Sequence, residues 1–332
     1  MKPFSPFRWL APSGADGRLS IFIFHRVLPV PDPLRPGEPD AHRFERIVGF
    51  ITRYFQVLPL TEAVRALEQG KLPAAAACVT FDDGYADNLT VAAPILKRYG
   101  ASATIFVATA FTGGGRMFND GVIEAVRAAP AGELDWREFG LGRQEIGDDA
   151  SRLAFIHKTL GDLKYRAVAD RTEIAGEVVR RAGLESSSDL MLSRRQLVEW
   201  CDLGFEIGGH TVTHPILSRL SEAEAYAEIS AGRDQIAQWL GKAPESFAYP
   251  NGVPGRDYGP RDIDLVKRAG YSSALSTARG AATRQADLHQ LPRFTPWDRS
   301  MWAFGLRCAQ TLVETRRNPA RQAGKNNEEV HT

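Results

Sequence analysis

With 332 residues, 43% of them hydrophobic, the chain can build one large α/β domain or two ordinary ones, and global disorder is excluded. Its 41 basic and 40 acidic residues leave a formal charge of +1, too balanced for a partner held mainly by charge, such as duplex nucleic acid. Three scattered cysteines, Cys78, Cys201 and Cys308, form no Cys-x-x-Cys pair, so neither a zinc ribbon nor a disulfide framework is expected.

The first ten residues are too broken by proline and charge for a signal-peptide core, and no apolar run reaches the ~18 residues of a membrane span. A soluble, cytoplasmic protein is therefore expected. Ser20 to Phe24 reads as a buried strand ending at His25, and the proline-rich stretch from Pro29 to Pro39 as a loop. Phe44 to Phe55 and Leu60 to Leu67 have helical periodicity, the second stopping near Gly70. Ala76 to Phe81 is the next buried strand, with Asp82 and Asp83 at its C-terminal end. A helix from Asn88 to Gly100 and a strand from Ala103 to Ala108 complete a strand–helix–strand order typical of parallel β/α units.

From about 113 to 192 the chain turns charged and mostly helical, clearest at Arg152 to Leu163 and Arg171 to Arg181. This reads as an insertion between barrel strands. The β/α rhythm resumes with a helix at Arg194 to Cys201 and a strand at Phe205 to Ile207, running into Gly208-Gly209-His210. Ser221-x-x-Glu224 has capping-box spacing and predicts a helix to Leu240. Strands follow at Ser246 to Tyr249 and Tyr271 to Leu275, with a helix at Ile263 to Ala269 between them. The expected organisation is a single domain over 1–315 and a disordered polar tail over 316–332, without internal repeats.

Chemistry concentrates in two clusters, Thr80-Phe81-Asp82-Asp83-Gly84 and His210-Thr211-Val212-Thr213-His214. Adjacent carboxylates at a turn can serve simply as caps. Here they follow a buried strand, where α/β barrels place their reactive groups. Histidines four apart share one side of a helical turn. One Asp and two His can hold a divalent metal with an open position, and the spare Asp can take a proton from water. The combination points to metal-assisted hydrolysis.

With the following residues added, Tyr85, Pro215 and the segment Phe247-Ala248-Tyr249-Pro250-Asn251-Gly252, the chain resembles the polysaccharide deacetylases, also known as the NodB homology domain or carbohydrate esterase family 4. The likeness runs from about 18 to 293, apart from the insertion. It implies a distorted (β/α) barrel with a helical insertion, and removal of acetyl groups from N-acetylated sugars. By the same resemblance Asp82 is the general base, and Asp83, His210 and His214 are ligands of zinc, or of cobalt, nickel or iron. The third motif would line the substrate cleft with Tyr249 and Asn251, the latter offering its backbone N–H to the oxyanion. An acetylated glycan is the implied partner, with no nucleic acid, and the oligomeric state is left open.

The match departs from the family pattern at two points. Many members carry an arginine where this chain has Ala248, so another group must hold Asp82, and Arg293 is the candidate. A late motif histidine that serves relatives as general acid has no good counterpart. His25, at a strand end, and His289, in a loop-like stretch, are the two candidates, with His25 favoured. His42 and His157 read as surface residues. Tyr258, Phe294, Trp297 and Trp302 could stack on sugars or pack in the core. Rival functions on the same fold are an O-acetyl esterase, a cyclic-amide hydrolase and a catalytically silent glycan-binding module.

Overall fold

A computed structural model describes residues 5–185, 189–296, 298 and 300–317. Ten strands run in chain order: β1 Ser20–Phe24, β2 Gln56–Val57, β3 Ala76–Phe81, β4 Thr104–Val107, β5 Gly132–Asp135, β6 Arg143–Ile146, β7 Glu206–Gly209, β8 Ser246–Ala248, β9 Ser273–Arg279 and β10 Leu291–Arg293. The main sheet has the order β1-β3-β4-β7-β8-β9-β10, every neighbour parallel, with β2 pairing to the start of β3. Backbone bonds from Ile23 N to Phe294 O (3.0 Å) and from Phe294 N to Ile21 O (2.8 Å) bring the last segment back against β1. The sheet is thereby nearly closed into the expected (β/α) barrel.

Both faces of these strands are buried, which explains their continuous apolar runs. Ile21, Cys78, Phe106, Ala248, Leu275 and Leu291 gather in one cluster, whereas Phe22, Phe24, Val79 and Ile105 pack in another with the surrounding helices. The period of two along each strand divides the barrel interior from its coat. Cys78 lies inside, where burial pushes its thiol pKa well up and leaves it inert.

Helices cover the barrel through apolar stripes. In Ala41–Tyr54 the buried residues are Phe44, Ile47, Val48 and Ile51, and Asp40 caps the first turn by accepting from Arg43 N at 2.7 Å. The helix Glu222–Leu240 begins with the Ser221–Glu224 capping box and ends at Gly241 in the left-handed conformation. The segment after Asn88 differs from the plain helix read in the sequence. It opens as a π-helical stretch, Asn88–Ala92, before the α-helix Ala93–Arg98. Asn88 is buried and donates to the His25 carbonyl at 2.9 Å, and this tie to the end of β1 accompanies the widened first turn.

Two further differences have clear causes. The 113–192 segment contains helices Phe118–Ala128, Asp149–Lys164 and Val168–Arg181, but also the antiparallel hairpin β5–β6. The hairpin strands are short, charged and half exposed, so they carry little apolar alternation for sequence reading to detect. The helix Met301–Arg317 had no sequence-based counterpart. Its Phe304, Cys308 and Leu312 are buried, and Phe304 meets Phe22 and Phe50 at centroid distances of 5.8 and 5.1 Å. Arg316 and Arg317 thus complete a helix rather than begin a tail; positions 318–332 lie outside the described residues. Among the described residues no helix is long and apolar enough to cross a membrane.

The insertion has its own core, in which Val122, Val126, Trp136, Phe155, Ile156 and Val178 are buried together. Phe155→Ala should cost about 3–5 kcal/mol of local stability. Hydrogen exchange should then accelerate across the insertion while the barrel strands keep their protection. Uniform acceleration through the barrel would contradict an independent insertion core.

Candidate functional site

Parallel strands put all their C-terminal ends on one rim, and that is where the chemical groups meet. Asp82 and Asp83 follow β3, His210 follows β7, Asn251 follows β8, and Arg293 is the last residue of β10. Gly208 and Gly209 allow the approach to His210. A Cβ on Gly208 would collide with the Phe106 ring, and one on Gly209 with the Tyr271 hydroxyl.

Asp83 Oδ1 faces both histidines, 3.5 Å from His210 Nε2 and 3.4 Å from His214 Nε2. Both spacings are too long for strong hydrogen bonds, and Asp83 Oδ1 is buried without a hydrogen-bond partner. About 3.4 Å is the edge of a tetrahedron whose centre lies about 2.1 Å from each donor, the bond length of a divalent first-row metal. One carboxylate oxygen and two imidazole nitrogens, within 4.8 Å of one another, therefore form a group that could hold a metal ion.

The donors are in suitable protonation states. His210 Nδ1 lies 2.7 Å from the Ala248 carbonyl, so it carries the proton and leaves Nε2 with a free lone pair. Burial is the main cause that drives the His214 pKa down to about 3, which keeps that ring neutral, and its Nδ1 has no protein partner. Burial opposes ionisation of Asp83, but the adjoining His210 and His214 outweigh it and hold the carboxyl far below its usual range.

Asp82 has a separate partner. Arg293 Nη1 and Nη2 donate to its two oxygens at 2.7 and 2.8 Å, and Arg293 Nε donates to the Ser276 carbonyl at 2.9 Å. Both side chains are buried. Burial would raise the Asp82 pKa, and Arg293 overrides it, with the net shift downward. His25 is solvent-accessible at the mouth of the site. Desolvation lowers its pKa, but Asp83, Glu38 and Asp82 together leave it raised. His289 is elsewhere: its Nε2 lies 3.0 Å from the carbonyl of Tyr271, which precedes β9 at the opposite end of the barrel. The structure thus brings His25, Arg293 and the two clusters together and leaves His289 out.

Two expectations need correction. The His210–His214 pair does not lie on a helical turn. Thr211 (φ 67°) and His214 (φ 55°) are both left-handed, and the turn is held by His214 N donating to Thr211 Oγ1 at 3.1 Å. Tyr249 does not offer its ring to the cleft. It is buried, stacks on Tyr258 at 3.7 Å and donates to the His289 carbonyl at 3.0 Å, because a phenol in an apolar wall must find an acceptor. Asn251 is left-handed (φ 60°), and its N–H makes no hydrogen bond among the described residues. Tyr258 and Phe294 are core residues, Trp302 is exposed, and Trp297 lies outside the described residues.

Sequence reading missed three supporting groups. Glu228, on the helix Glu222–Leu240, accepts from Val212 N (2.9 Å), Thr213 N (2.8 Å) and Thr213 Oγ1 (2.7 Å). Arg171, from the insertion, donates to the His214 carbonyl at 2.8 Å. Glu38 accepts from Arg26 N at 3.2 Å and lies within electrostatic reach of His25. Each is a charged residue on a helix or loop, with no spacing signal to distinguish it from a solvated one.

A nearly closed parallel barrel with carboxylates and imidazoles gathered at its C-terminal rim has the architecture of a (β/α)-barrel hydrolase. The polysaccharide deacetylase family model matches residues 69–129 and 173–274, segments that contain both clusters, and the chain belongs to that family. It is similar to YxkH of Bacillus subtilis (strain 168), a protein named for the same family, at 22% identity over 240 residues. That match takes in 72% of this chain and 58% of the relative's length. Among solved structures, the Streptococcus pyogenes deacetylase PplD in complex with acetate superposes with a TM-score of 0.59 at 21% identity, covering 89% of this chain and 98% of that one. IcaB from Ammonifex degensii gives 0.57 at 17% identity, covering 91% and 98%. At such identities these two establish the shared fold.

His214 is neutral down to about 3 in the fold but titrates near 6.5 when unfolded. The unfolded chain therefore binds the extra proton between those values, and stability falls as pH drops through that window. His25 acts in the other sense: its raised pKa adds stability that is complete below 6.5 and fades as pH rises through the folded value. Urea midpoints of chelator-treated protein should decline from pH 6.5 toward about 4, and His214→Gln should flatten that decline. Parallel profiles would contradict a buried neutral ring.

Proposed function

We propose that the protein is a metal-dependent deacetylase that removes N-acetyl groups from N-acetylhexosamine units of a polysaccharide or a lipid-linked glycan precursor. The observation that carries this reading is the unpartnered Asp83 oxygen facing two imidazole nitrogens at tetrahedral-edge spacing, with a second carboxylate beside it. Asp83, His210 and His214 are the ligands. Their mixed oxygen and nitrogen set suits zinc, and cobalt, nickel or iron share the preference. When bound, the ion supplies Lewis acidity toward the acetyl carbonyl and lowers the pKa of water.

The chain's own residues do the rest. Asp82, kept ionised by Arg293, takes the proton from the attacking water. The free N–H of Asn251 lies after β8 on the same rim and donates to the developing oxyanion. His25, its pKa raised by the surrounding carboxylates, gives a proton to the departing amine. That last step favours an amide over an ester, because an amine leaves only when protonated whereas an alkoxide leaves more readily. The described residues up to Arg317 act as one barrel domain, with the insertion walling one side of the cleft.

The test is acetate and free-amine release from chitin-type oligomers and acetylated xylan, together with elemental analysis. Asp82→Asn should retain metal and lose about 10²–10⁴-fold in kcat, whereas Asp83→Ala should lose the metal. Arg293→Ala should retain metal, lose turnover sharply, and cost about 3–5 kcal/mol by leaving Asp82 unpaired in the interior. Acetate release without amine would reassign the protein as an esterase. Glycan binding without either product would make it a binding module.

A further inference from the structure

A cavity of about 160 Å³ opens beside His214, between the insertion helices Phe118–Ala128 and Val168–Arg181. Met117, Phe118 and Val179 give it an apolar wall, and Arg116 and Arg171 also line it. Among the described residues no aspartate or glutamate does. Arg171 spends one nitrogen on the His214 carbonyl and lies over the Phe118 ring at 4.7 Å. Arg116 is the unexplained residue: its Nε and Nη1 are shut away from water and make no hydrogen bond among the described residues.

Arg116 as a whole is half-buried, but two guanidinium N–H groups covered without acceptors are destabilising. Proteins retain such a group where a ligand supplies the missing acceptors, and the fork geometry of arginine matches carboxylate and phosphate. The cavity shares His214 with the metal-ligand group, so a ligand seated there adjoins the reacting acetyl group.

We propose that this cavity is an oxyanion subsite, in which Arg116 binds a phosphate or carboxylate carried by the glycan next to the acetylated sugar. The substrate would then be an acidic glycan rather than a neutral one. The inference takes the glycan from the deacetylase reading, and takes the anion from the cavity alone.

The test titrates the full-length protein and its Arg116→Met variant with inorganic phosphate, glucuronate and acetate by calorimetry. Phosphate or glucuronate should bind the native protein, the better of the two naming the substituent, and Arg116→Met should weaken that binding about tenfold or more. The ratio of kcat/KM for a charged over a neutral acetylated oligomer should fall by a similar factor. The variant's Tm should be unchanged or higher, because two covered donors without acceptors have been removed, and Arg116→Lys should restore part of the binding. Equal binding by native and variant proteins, a lower Tm with an unchanged substrate ratio, or Arg116-dependent binding of acetate alone would overturn the proposal, the last by making the cavity a product pocket. Arg116-dependent phosphate binding with no acetate released from any sugar would retain the subsite and reject the deacetylase reading.

Discussion

Two carboxylates on consecutive residues at a strand end repel each other, and burying both makes the conflict worse. The barrel resolves it by giving each a partner from a different part of the chain. Asp82 meets a guanidinium that follows it by 211 residues, and Asp83 meets two imidazoles from the strand two places along the sheet. Neither solution is available locally. The pair is tolerable only in the closed ring, because closure brings the end of β10 across from β3. Fold and site therefore depend on each other: without Arg293, Asp82 would be driven toward its protonated form, and without the ring there would be no Arg293 at hand.

The backbone shows the same dependence. Among the described residues five non-glycine positions have positive φ, and four of them, Asp83, Thr211, His214 and Asn251, belong to the candidate site. Each such residue costs on the order of 1 kcal/mol or more and persists only where its surroundings over-determine it. Glu228 does this for the His210–His214 turn by accepting three donors from Val212 and Thr213, and Arg171 fixes its far end through the His214 carbonyl. The insertion is thereby coupled to the ligand geometry and is more than a decoration on the rim. A change in insertion packing has a direct route to His214.

This division explains what could be read from the sequence. The barrel was legible because strands buried on both faces leave unbroken apolar runs, as at Ser20–Phe24 and Ala76–Phe81, and because the coat helices repeat at three and four. Asp82, Asp83, His210 and His214 were legible because their residue types and order are rare outside one kind of chemistry. Arg293 could be inferred from a gap, since Ala248 leaves Asp82 without the usual arginine. The left-handed turn was not legible, because Thr211 is β-branched and disfavours positive φ, and the bonds that hold it and His214 there are tertiary. The inward turn of Tyr249 was hidden for a related reason: its acceptor, the His289 carbonyl, is 40 residues away. Glu228, Glu38 and Arg116 resemble any surface charge until the fold brings something to them, or leaves them with nothing.

The two groups given proton-handling roles in the proposed mechanism show how one cleft can shift two pKa values in opposite directions. Desolvation on its own would push Asp82 up and even the exposed His25 down, toward neutral forms of both. The site reverses both tendencies with charge. Arg293 pulls Asp82 down, and the acidic neighbours Asp83, Glu38 and Asp82 itself lift His25. In the proposed mechanism these two directions suit a carboxylate that accepts and an imidazole that donates, as a hydrolysis that first takes and later returns a proton requires. The coupling is mutual: Asp82, its charge stabilised by Arg293, helps to raise His25, and His25 helps to lower Asp82. In the proposed mechanism a proton on Asp82 removes that support, so His25 becomes a stronger acid toward the leaving nitrogen.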